Sequence, residues 1–182
     1  MSEQQSYKII LKNVRLSFPA IWQKNTKFGG DNAKYEATFL IHKDEQADLI
    51  KKIEDKIAAI QKETKVKVSK DKLCLKDGDD AEYDGYADHM SLKAANSKRP
   101  TILDRDKTPL IEDDNKPYAG CYVNASVQLW VQNNDWGKRV NANLLGIQFF
   151  KDGEPFGAGD LDATDDFDDF SDDDDDDDDY DF

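Results

Sequence analysis

The sequence has few of the features that mark a secreted or membrane protein. No apolar run approaches the roughly 20 residues needed to span a bilayer, and the polar N-terminus, MSEQQSYK, lacks the apolar stretch of a signal peptide. Only two cysteines occur, Cys74 and Cys121, and we expect them to be reduced thiols rather than a disulfide. The sequence therefore predicts a cytoplasmic protein without membrane contact.

Motifs for catalysis and for metal binding are also missing. There is no glycine-rich phosphate loop and no nucleophile elbow. The acidic turn 77–80 resembles the start of a calcium loop, but Ala81 and Glu82 stand where a ligand and a glycine are required. His42 is predicted to end a strand and His89 to lie in a loop, and neither has a histidine or cysteine partner at ligand spacing. We predict no enzyme activity, no cofactor and no metal site.

Positive charge is absent from the C-terminal end of the chain. Residues 160–182 contain 15 aspartates and no lysine or arginine, whereas acidic and basic residues almost balance in residues 1–159. The formal net charge of −14 at pH 7 therefore arises from that end. Eight of the aspartates, Asp172 to Asp179, are consecutive. Because such a run repels itself and cannot form a core, we predict one domain over 1–159 and a disordered acidic tail over 160–182.

Alternating apolar and polar residues predict strands in the N-terminal part of the domain. The first strand, Tyr7 to Phe18, has Val14, Leu16 and Phe18 on one face, and Pro19 is expected to end it. A long basic and aromatic loop follows. The inward residues of the next strand are predicted to be Tyr35, Ala37, Phe39 and Ile41.

One amphipathic helix is predicted after the second strand. Asp44 is placed to cap it. Apolar residues then recur at helical spacing, as Leu49, Ile50, Ile53, Ile57 and Ile60. From residue 90 to 117 the pattern is weak and indicates an extended loop with one or two short strands.

The clearest strand signal is a hairpin between Cys121 and Phe150. Its first strand has apolar residues at odd-numbered positions, while the even-numbered positions carry polar residues, Tyr122 and Trp130. A turn at 133–137 places Trp130 opposite either Arg139 or Asn141.

The returning strand of the hairpin changes phase at Gly146. Such a glycine bulge would turn Ile147 and Phe149 inward. Mostly strands, with one amphipathic helix and one strong hairpin, indicate a mainly β fold. They suit a small barrel better than a sandwich, which normally needs about seven regular strands.

Aromatic and basic side chains favour binding to an unpaired nucleic-acid strand, in which bases stack on rings and cations contact phosphates. The predicted stacking residues are Trp130, Tyr122, Trp136, Trp22, Phe28, Tyr83 and Tyr86. The predicted polar contacts are Arg139, Asn141, Arg15, Lys98, Arg99, Arg105 and Lys138. The alternative for these residues is a structural one: Trp22 can pack with the core, the tyrosines around Gly85 can support a turn, and cations can be solvated surface.

The acidic tail is predicted to compete with nucleic acid. A flexible chain of this length spans roughly 25 Å, enough to reach a groove on its own domain, and its carboxylates would bind the same cations as phosphates. Displacement by DNA would free the aromatic tip, Tyr180, Asp181 and Phe182, to dock a partner protein. The alternative is that the tail only maintains solubility.

Several segments together resemble a known family. They are KPYAGCYVNA at 116–125, GKRVNA at 137–142, GIQF at 146–149, NVRLSFP at 13–19 and the pair Arg99-Pro100. The chain is similar in these segments to bacteriophage single-stranded DNA-binding proteins. The resemblance implies an OB fold, several copies coating each single strand, and an acidic tail that docks replication or recombination proteins in the cytoplasm of a bacterial host.

Two other functions stay open at this level. The first is an interaction protein whose acidic tail mimics DNA, with no nucleic-acid binding by the body. The second is a metal-dependent nuclease that uses the acidic turn near Asp77, for which the required ligand pattern is missing.

Overall fold

A computed structural model describes residues 7–25, 33–81, 83, 85–135 and 137–156 of the chain. The predicted tail, Phe28 and Trp136 lie outside the described residues. Seven strands and one α-helix are present in the described part, with short 3-10 helices at Lys70–Lys72, Gly78–Asp80 and Glu112–Asp114. The larger elements are β1 (Lys8–Asn25), β2 (Lys34–His42), α1 (Ala47–Thr64), β3 (Leu75–Asp77), β4 (His89–Asn96), β5 (Thr101–Leu103), β6 (Tyr122–Asn134) and β7 (Gly137–Lys151).

Five of the strands close into a barrel. β1 pairs antiparallel with β2 on one side and with β6 on the other, β2 pairs with β4, and β6 pairs with β7. A parallel pairing of β4 with β7, at Ala95 and Asn143, closes the ring. β3 and β5 extend the sheet beside β4 and β7. The predicted mainly β fold and small barrel are confirmed, and the barrel is of the OB type.

β1 is longer than the sequence predicts and continues through Pro19. The pairing with β2 shifts register between Ser17 and Ala20, and Phe18 in this bulge has φ 47°. A bulge accommodates proline because the position does not need a backbone donor. The alternation reverses there, so that Ser17 is buried and Phe18 is exposed. The predictions that the strand ends at Pro19 and that Phe18 points inward are therefore wrong.

Helix α1 packs against β6 and β2 through its apolar face. Ile50, Ile53, Ile57 and Ile60 are buried, as their spacing predicts. The predicted cap Asp44 is wrong, because the helix begins after Gln46 and has no side-chain cap. Instead, the Gln46 Oε1 accepts from the His42 backbone N (3.2 Å), and its Nε2 donates to the Lys12 carbonyl oxygen (2.9 Å). No helix among the described residues is long and apolar enough to cross a membrane.

The β6–β7 hairpin has a tighter turn than predicted. Only residues 135 and 136 separate the paired residues Asn134 and Gly137. This register places Trp130 opposite Asn141, one of the two predicted partners. The bulge at Gly146 is confirmed: Ser126 pairs with Gly146 and Val127 with Leu144, while Ile147 and Phe149 are buried.

The segment after β7, residues 152–156, folds back over β1 and is called here the terminal strap. The Phe156 backbone N donates to the Ala119 carbonyl oxygen (3.0 Å), and the Tyr118 hydroxyl donates to Asp152 (2.7 Å). Gly120, at φ +106°, lets the strap lie against the backbone, because a Cβ there would overlap the Glu154 carbonyl oxygen. Backbone and side-chain hydrogen bonds therefore hold the strap against residues 118–120.

We predict that Gly120→Ala destabilises the fold by about 1–3 kcal/mol through this overlap, in addition to the cost of its positive φ. Gly137→Ala is the matched control, because Gly137 has φ +117° but no atom within 4 Å of an added Cβ. Denaturant unfolding of both variants measures the difference. Equal losses would show that the strap does not pack against Gly120.

Both cysteines are free thiols, as predicted. Burial raises the pKa of the Cys121 thiol to about 11 and that of Cys74 to about 12. Since the thiolate is the reactive form, we expect both to react slowly with a thiol reagent at pH 8 and rapidly in denaturant. Spectrophotometric thiol titration checks this. Rapid reaction of both thiols in the folded protein would contradict the burial of Cys121 and the partial burial of Cys74.

Candidate nucleic-acid interface

The outer face of β6 carries a row of polar and aromatic side chains, called here the β6 stripe. Alternate residues of β6 point into the barrel and are buried, so the residues between them face outward. The stripe consists of Tyr122, Asn124, Ser126, Gln128, Trp130 and Gln132. It holds no charged residue, and amide hydrogen bonds link it to β7: Asn124 to Gln148 (3.2 Å), and Asn141 to Gln132 (3.0 Å).

Trp130 lies towards the hairpin end of the stripe with 37% of its surface exposed. Asn141 is directly opposite, and Arg139 is opposite the neighbouring stripe residue Gln132. Lys138 is exposed next to the turn but pairs with Asn133, so it lies on the other face of the hairpin from Trp130. Three predicted residues, Trp130, Asn141 and Arg139, therefore meet at one end of the hairpin, where an exposed indole lies near one cation.

Tyr122 lies at the other end of the stripe, eight residues and about 26 Å from Trp130. Two cations flank its ring: the Arg15 guanidinium carbon is 5.8 Å from the ring centroid, and the Lys151 Nζ is 5.0 Å from it. Tyr122 is half-buried. The two ends of the stripe thus have the same composition, an aromatic ring with neighbouring positive charge.

Arg15 is engaged by the terminal strap. Its Nε donates to the Gly120 carbonyl oxygen (3.0 Å) and its Nη2 to the Glu154 carbonyl oxygen (2.7 Å). The Phe156 ring centroid is 4.0 Å from the guanidinium carbon, and a Cβ at Gly85 would overlap that ring. Arg15, which was predicted to contact phosphates, is therefore held by two neutral carbonyl oxygens and an aromatic ring. These contacts do not neutralise its positive charge.

Arg105 lies in the stretch between β5 and β6. Its guanidinium carbon is 5.2 Å from the Phe150 ring centroid, and its carbonyl oxygen accepts from the Gln148 side chain (3.0 Å). Gln148 is also hydrogen-bonded to the β6 stripe through Asn124. Arg105 is thus positioned at the flank of the stripe.

Trp22 and Arg99 form a second aromatic and cationic unit on another part of the barrel. The Arg99 guanidinium carbon is 6.0 Å from the Trp22 ring, and its Nη2 is 3.5 Å from the Trp22 carbonyl oxygen. Trp22 is half-buried and packs against the core, which is the structural role predicted for it. Its ring also lies beside a cation, which the predicted role in stacking requires. Lys98 is exposed beside Arg99. A similar contact, between Lys24 and Tyr35 at 5.9 Å, lies nearby on β1 and β2.

Tyr83 and Tyr86 occupy different environments. Tyr86 is only 4% exposed, and its hydroxyl is 2.9 Å from the buried Ser17 Oγ. Burial raises the pKa of Tyr86. Tyr83 is 58% exposed, and its ring centroid is 5.0 Å from that of Phe18. Of the two tyrosines, only Tyr83 presents a ring surface to solvent.

Lys43 pairs with two of the carboxylates at the end of β3 and in the turn that follows it. The Lys43 Nζ lies 2.6 Å from Asp77 and 2.7 Å from Asp79, and this pairing lowers the pKa of both carboxyls and raises that of Lys43. His89 begins β4 opposite His42, with ring centroids 5.0 Å apart, so its predicted loop position is wrong. Within the described ranges no three potential ligands form a metal cluster.

Sequence reasoning missed Phe18 and Phe156 as surface residues. Phe18 continues the apolar alternation of β1, and only the proline after it indicated an irregularity. Phe156 follows a short polar segment, and nothing in the pattern indicated its contact with Arg15.

Comparisons with known proteins agree with this architecture. The profile of the family described as the ssDNA-binding protein of Enterobacter phage Enc34 matches residues 7–180. Putative protein p50 of Acyrthosiphon pisum secondary endosymbiont phage 1 is 40% identical over 171 residues, which are 88% of this chain and 92% of that protein.

Solved structures show the same fold. The single-stranded DNA-binding protein from bacteriophage Enc34 in complex with ssDNA has a TM-score of 0.78 at 33% identity, covering 83% of this chain and 90% of that one. Its C-terminal truncation gives 0.77 at 33% identity, covering 82% and 88%. The gp2.5 single-stranded DNA-binding protein of bacteriophage T7, at 14% identity and a TM-score of 0.55 over 90% and 96%, shares the fold. The chain belongs to the family of the bacteriophage Enc34 single-stranded DNA-binding protein.

Proposed function

We propose that this protein binds single-stranded DNA during phage DNA replication or recombination. The observation that carries the proposal is the β6 stripe, in which two aromatic rings about 26 Å apart bound a face without charged residues. Exposed rings stack on any base, and amides hydrogen-bond to bases without repelling phosphates. The family is one of DNA-binding proteins and not of enzymes, which confirms the prediction that the chain is not an enzyme.

Cations at the two ends of the stripe supply the phosphate contacts in this proposal. Arg139 flanks the Trp130 end, and Arg15 and Lys151 flank the Tyr122 end. Because residues 1–159 carry almost balanced charge, long-range attraction of the body for DNA is weak. Stacking and a few local cations therefore provide most of the affinity.

The proposal also assigns two roles to the acidic tail. The tail competes with DNA for these cations, and it docks replication or recombination proteins. Phe156 packs on Arg15 beside Tyr122, so the last described residue before the acidic segment lies at one end of the stripe. A strand of DNA that displaces the tail frees Tyr180, Asp181 and Phe182 for a partner protein. Tethering keeps the tail at a high effective concentration near the cations it contacts.

Removal of either stripe aromatic should weaken binding. We expect Trp130→Ala and Tyr122→Ala each to lower the affinity for a labelled oligothymidylate by roughly 5- to 150-fold, the equivalent of about 1–3 kcal/mol of stacking. Trp130→Phe should retain part of the affinity, since it keeps a ring. Fluorescence anisotropy measures the binding, with the exposed residue Ile111 changed to Ala as the control. Wild-type affinity in both alanine variants would contradict the role of the stripe.

Removal of residues 160–182 should raise the affinity for single strands and reduce the preference for single-stranded over duplex DNA. The gain should be largest at low salt, because the competition is electrostatic. A full-length variant with Asp172 to Asp179 changed to serine is the matched control for tail length, and it should show much of the same gain. Unchanged binding in both proteins would remove the competition. If the truncated chain does not bind single strands in dilute buffer, the alternative function is correct, namely an interaction protein whose acidic tail mimics DNA.

A further inference from the structure

A groove crosses the outer face of the barrel at the middle of the β6 stripe. Ile10 of β1 pairs with Ser126 of β6, and Ser126 pairs with Gly146 of β7. Gly146 pairs in turn with Thr101 of β5, so these residues form a row across four strands. The two residues in the middle of the row are small, which leaves a depression between larger side chains. The depression is called here the β6 groove.

The walls of the β6 groove are apolar. Ile10 lies on one side with 44% of its surface exposed, and Leu103 and Leu145 lie on the other. The Ser126 hydroxyl oxygen is buried and has no hydrogen-bond partner among the described residues. Burial of a hydroxyl without a partner is unfavourable. The groove therefore suits a ligand that supplies both an apolar side chain and a hydrogen-bonding group, as a peptide does.

The β6 groove carries little charge. Lys8 is the one charged residue that lines it in the described part of the chain, and no carboxylate does. At the rim that follows β5, Asp104 pairs with Lys116 (3.2 Å), and the exposed neighbours Arg105 and Asp106 have opposite charges. An acidic peptide can therefore enter the groove without strong repulsion.

We infer that the β6 groove binds the chain's own segment 167–170, Phe-Asp-Asp-Phe, and so anchors the acidic tail to the barrel at a point separate from the aromatic tip. The segment supplies a ring to lie against Ile10, backbone groups to bond the Ser126 hydroxyl, and carboxylates to lie beside Lys8. The inference rests on the proposed function and names the surface through which the tail regulates the β6 stripe. An anchored segment covers the middle of the stripe until DNA displaces it.

The length of the tether favours this segment over the tip. Phe156 lies near Tyr122 at one end of the stripe, and the groove begins at Asn124, two residues further along β6. Ten residues separate Phe156 from Phe167, whereas 23 separate it from Tyr180. A flexible chain of ten residues spans roughly 18 Å, which matches this short path. Because effective concentration falls with about the −3/2 power of tether length, the nearer segment has a roughly threefold advantage.

A cleft on the outer side of α1 offers charge without apolar walls. Tyr7 and Ala59 line it together with three lysines and two aspartates, Asp48, Lys51, Lys52, Asp55 and Lys56. A phenylalanine ring would find little apolar surface there, and Lys51 already pairs with Asp55 (3.5 Å). The β6 groove is therefore the better site for a segment with two rings.

Photo-crosslinking of the full-length chain tests the anchor directly. p-Benzoylphenylalanine replaces Phe167 or Phe170 in separate variants, and mass spectrometry maps the crosslinked residues. We expect crosslinks within one chain to Ile10, Leu103 or Leu145, and we expect saturating oligothymidylate to abolish them. Crosslinks to α1, or crosslinks only between two chains, would overturn the inference. Crosslinks that persist in saturating oligothymidylate would overturn the shared use of the stripe.

Binding measurements test the regulatory effect of the anchor. Changing Phe167 and Phe170 together to Ser should raise the affinity of the full-length chain for a labelled oligothymidylate by roughly 2- to 10-fold. This range corresponds to a segment at about millimolar effective concentration whose dissociation constant lies between about 0.1 and 1 mM. Ile10→Ser should give a similar gain, and adding it to the tail variant should give no more, because both changes break one contact. Ile111→Ser, at another exposed isoleucine, is the matched control and should leave the affinity unchanged.

The possible outcomes separate the anchor from the proposed function. Unchanged affinity in the Ile10 and tail variants, or gains that multiply when the two are combined, would overturn the anchor and leave the proposed function intact. An equal gain from Phe182→Ser would assign the contact to the tip and would also overturn it. Absence of binding by the wild-type chain in dilute buffer would instead refute the proposed function, while the crosslinks would still report on the anchor.

Discussion

The path of β1 is the constraint on which the barrel and the position of the β6 stripe depend. This strand pairs with β6 through its first half and with β2 through its second half, and Arg15 pairs with both. Irregularities at Asn13 and Phe18, both with positive φ, accompany the register shifts that let one strand serve two neighbours. Bulges of this kind bend a strand and increase its twist, as closure of a small barrel requires. The same irregularities decide which side chains of β1 point outward.

The two faces that meet at β1 differ in chemistry. The β6 stripe combines amides with an aromatic ring and positive charge at each end, whereas the face of β1, β2 and β4 has an aromatic cluster followed by the Trp22–Arg99 contact. The terminal strap lies between them: Phe156 contacts Arg15, whose guanidinium also lies near Tyr122, and packs against Gly85 next to the tyrosine cluster. Phe156, the last of the described residues, therefore lies where the two faces adjoin.

Local patterns in the sequence predicted the regular elements well. The spacing of isoleucines located α1, and the alternation in β6 with the glycine bulge in β7 predicted the hairpin, its buried face and a register that allowed the observed pairing of Trp130 with Asn141. These features depend on residues close together in the chain. Sequence patterns alone were therefore sufficient to identify the hairpin aromatics and their neighbours.

Features that depend on contacts between distant residues could not be predicted in this way. The outward turn of Phe18 depends on how β1 pairs with β2, and the contact between Phe156 and Arg15 joins residues that are far apart in sequence. The start of α1 also depends on a distant contact, since the Gln46 side chain hydrogen-bonds to the backbone of β1. The segment from 90 to 117, whose pattern is weak, contains most of β4, a barrel strand in which only Leu92 and Ala94 are buried. Tertiary context overrides local preference at each of these places.

The central claim is that a barrel of nearly balanced charge binds single strands chiefly by stacking. The most direct measurement is a salt titration of oligothymidylate binding to the chain without residues 160–182, followed by intrinsic tryptophan fluorescence. The account predicts quenching on binding and a shallow slope of log affinity against log salt, equivalent to the release of only a few counterions. A steep slope without quenching would show binding through phosphate contacts alone and would contradict the account.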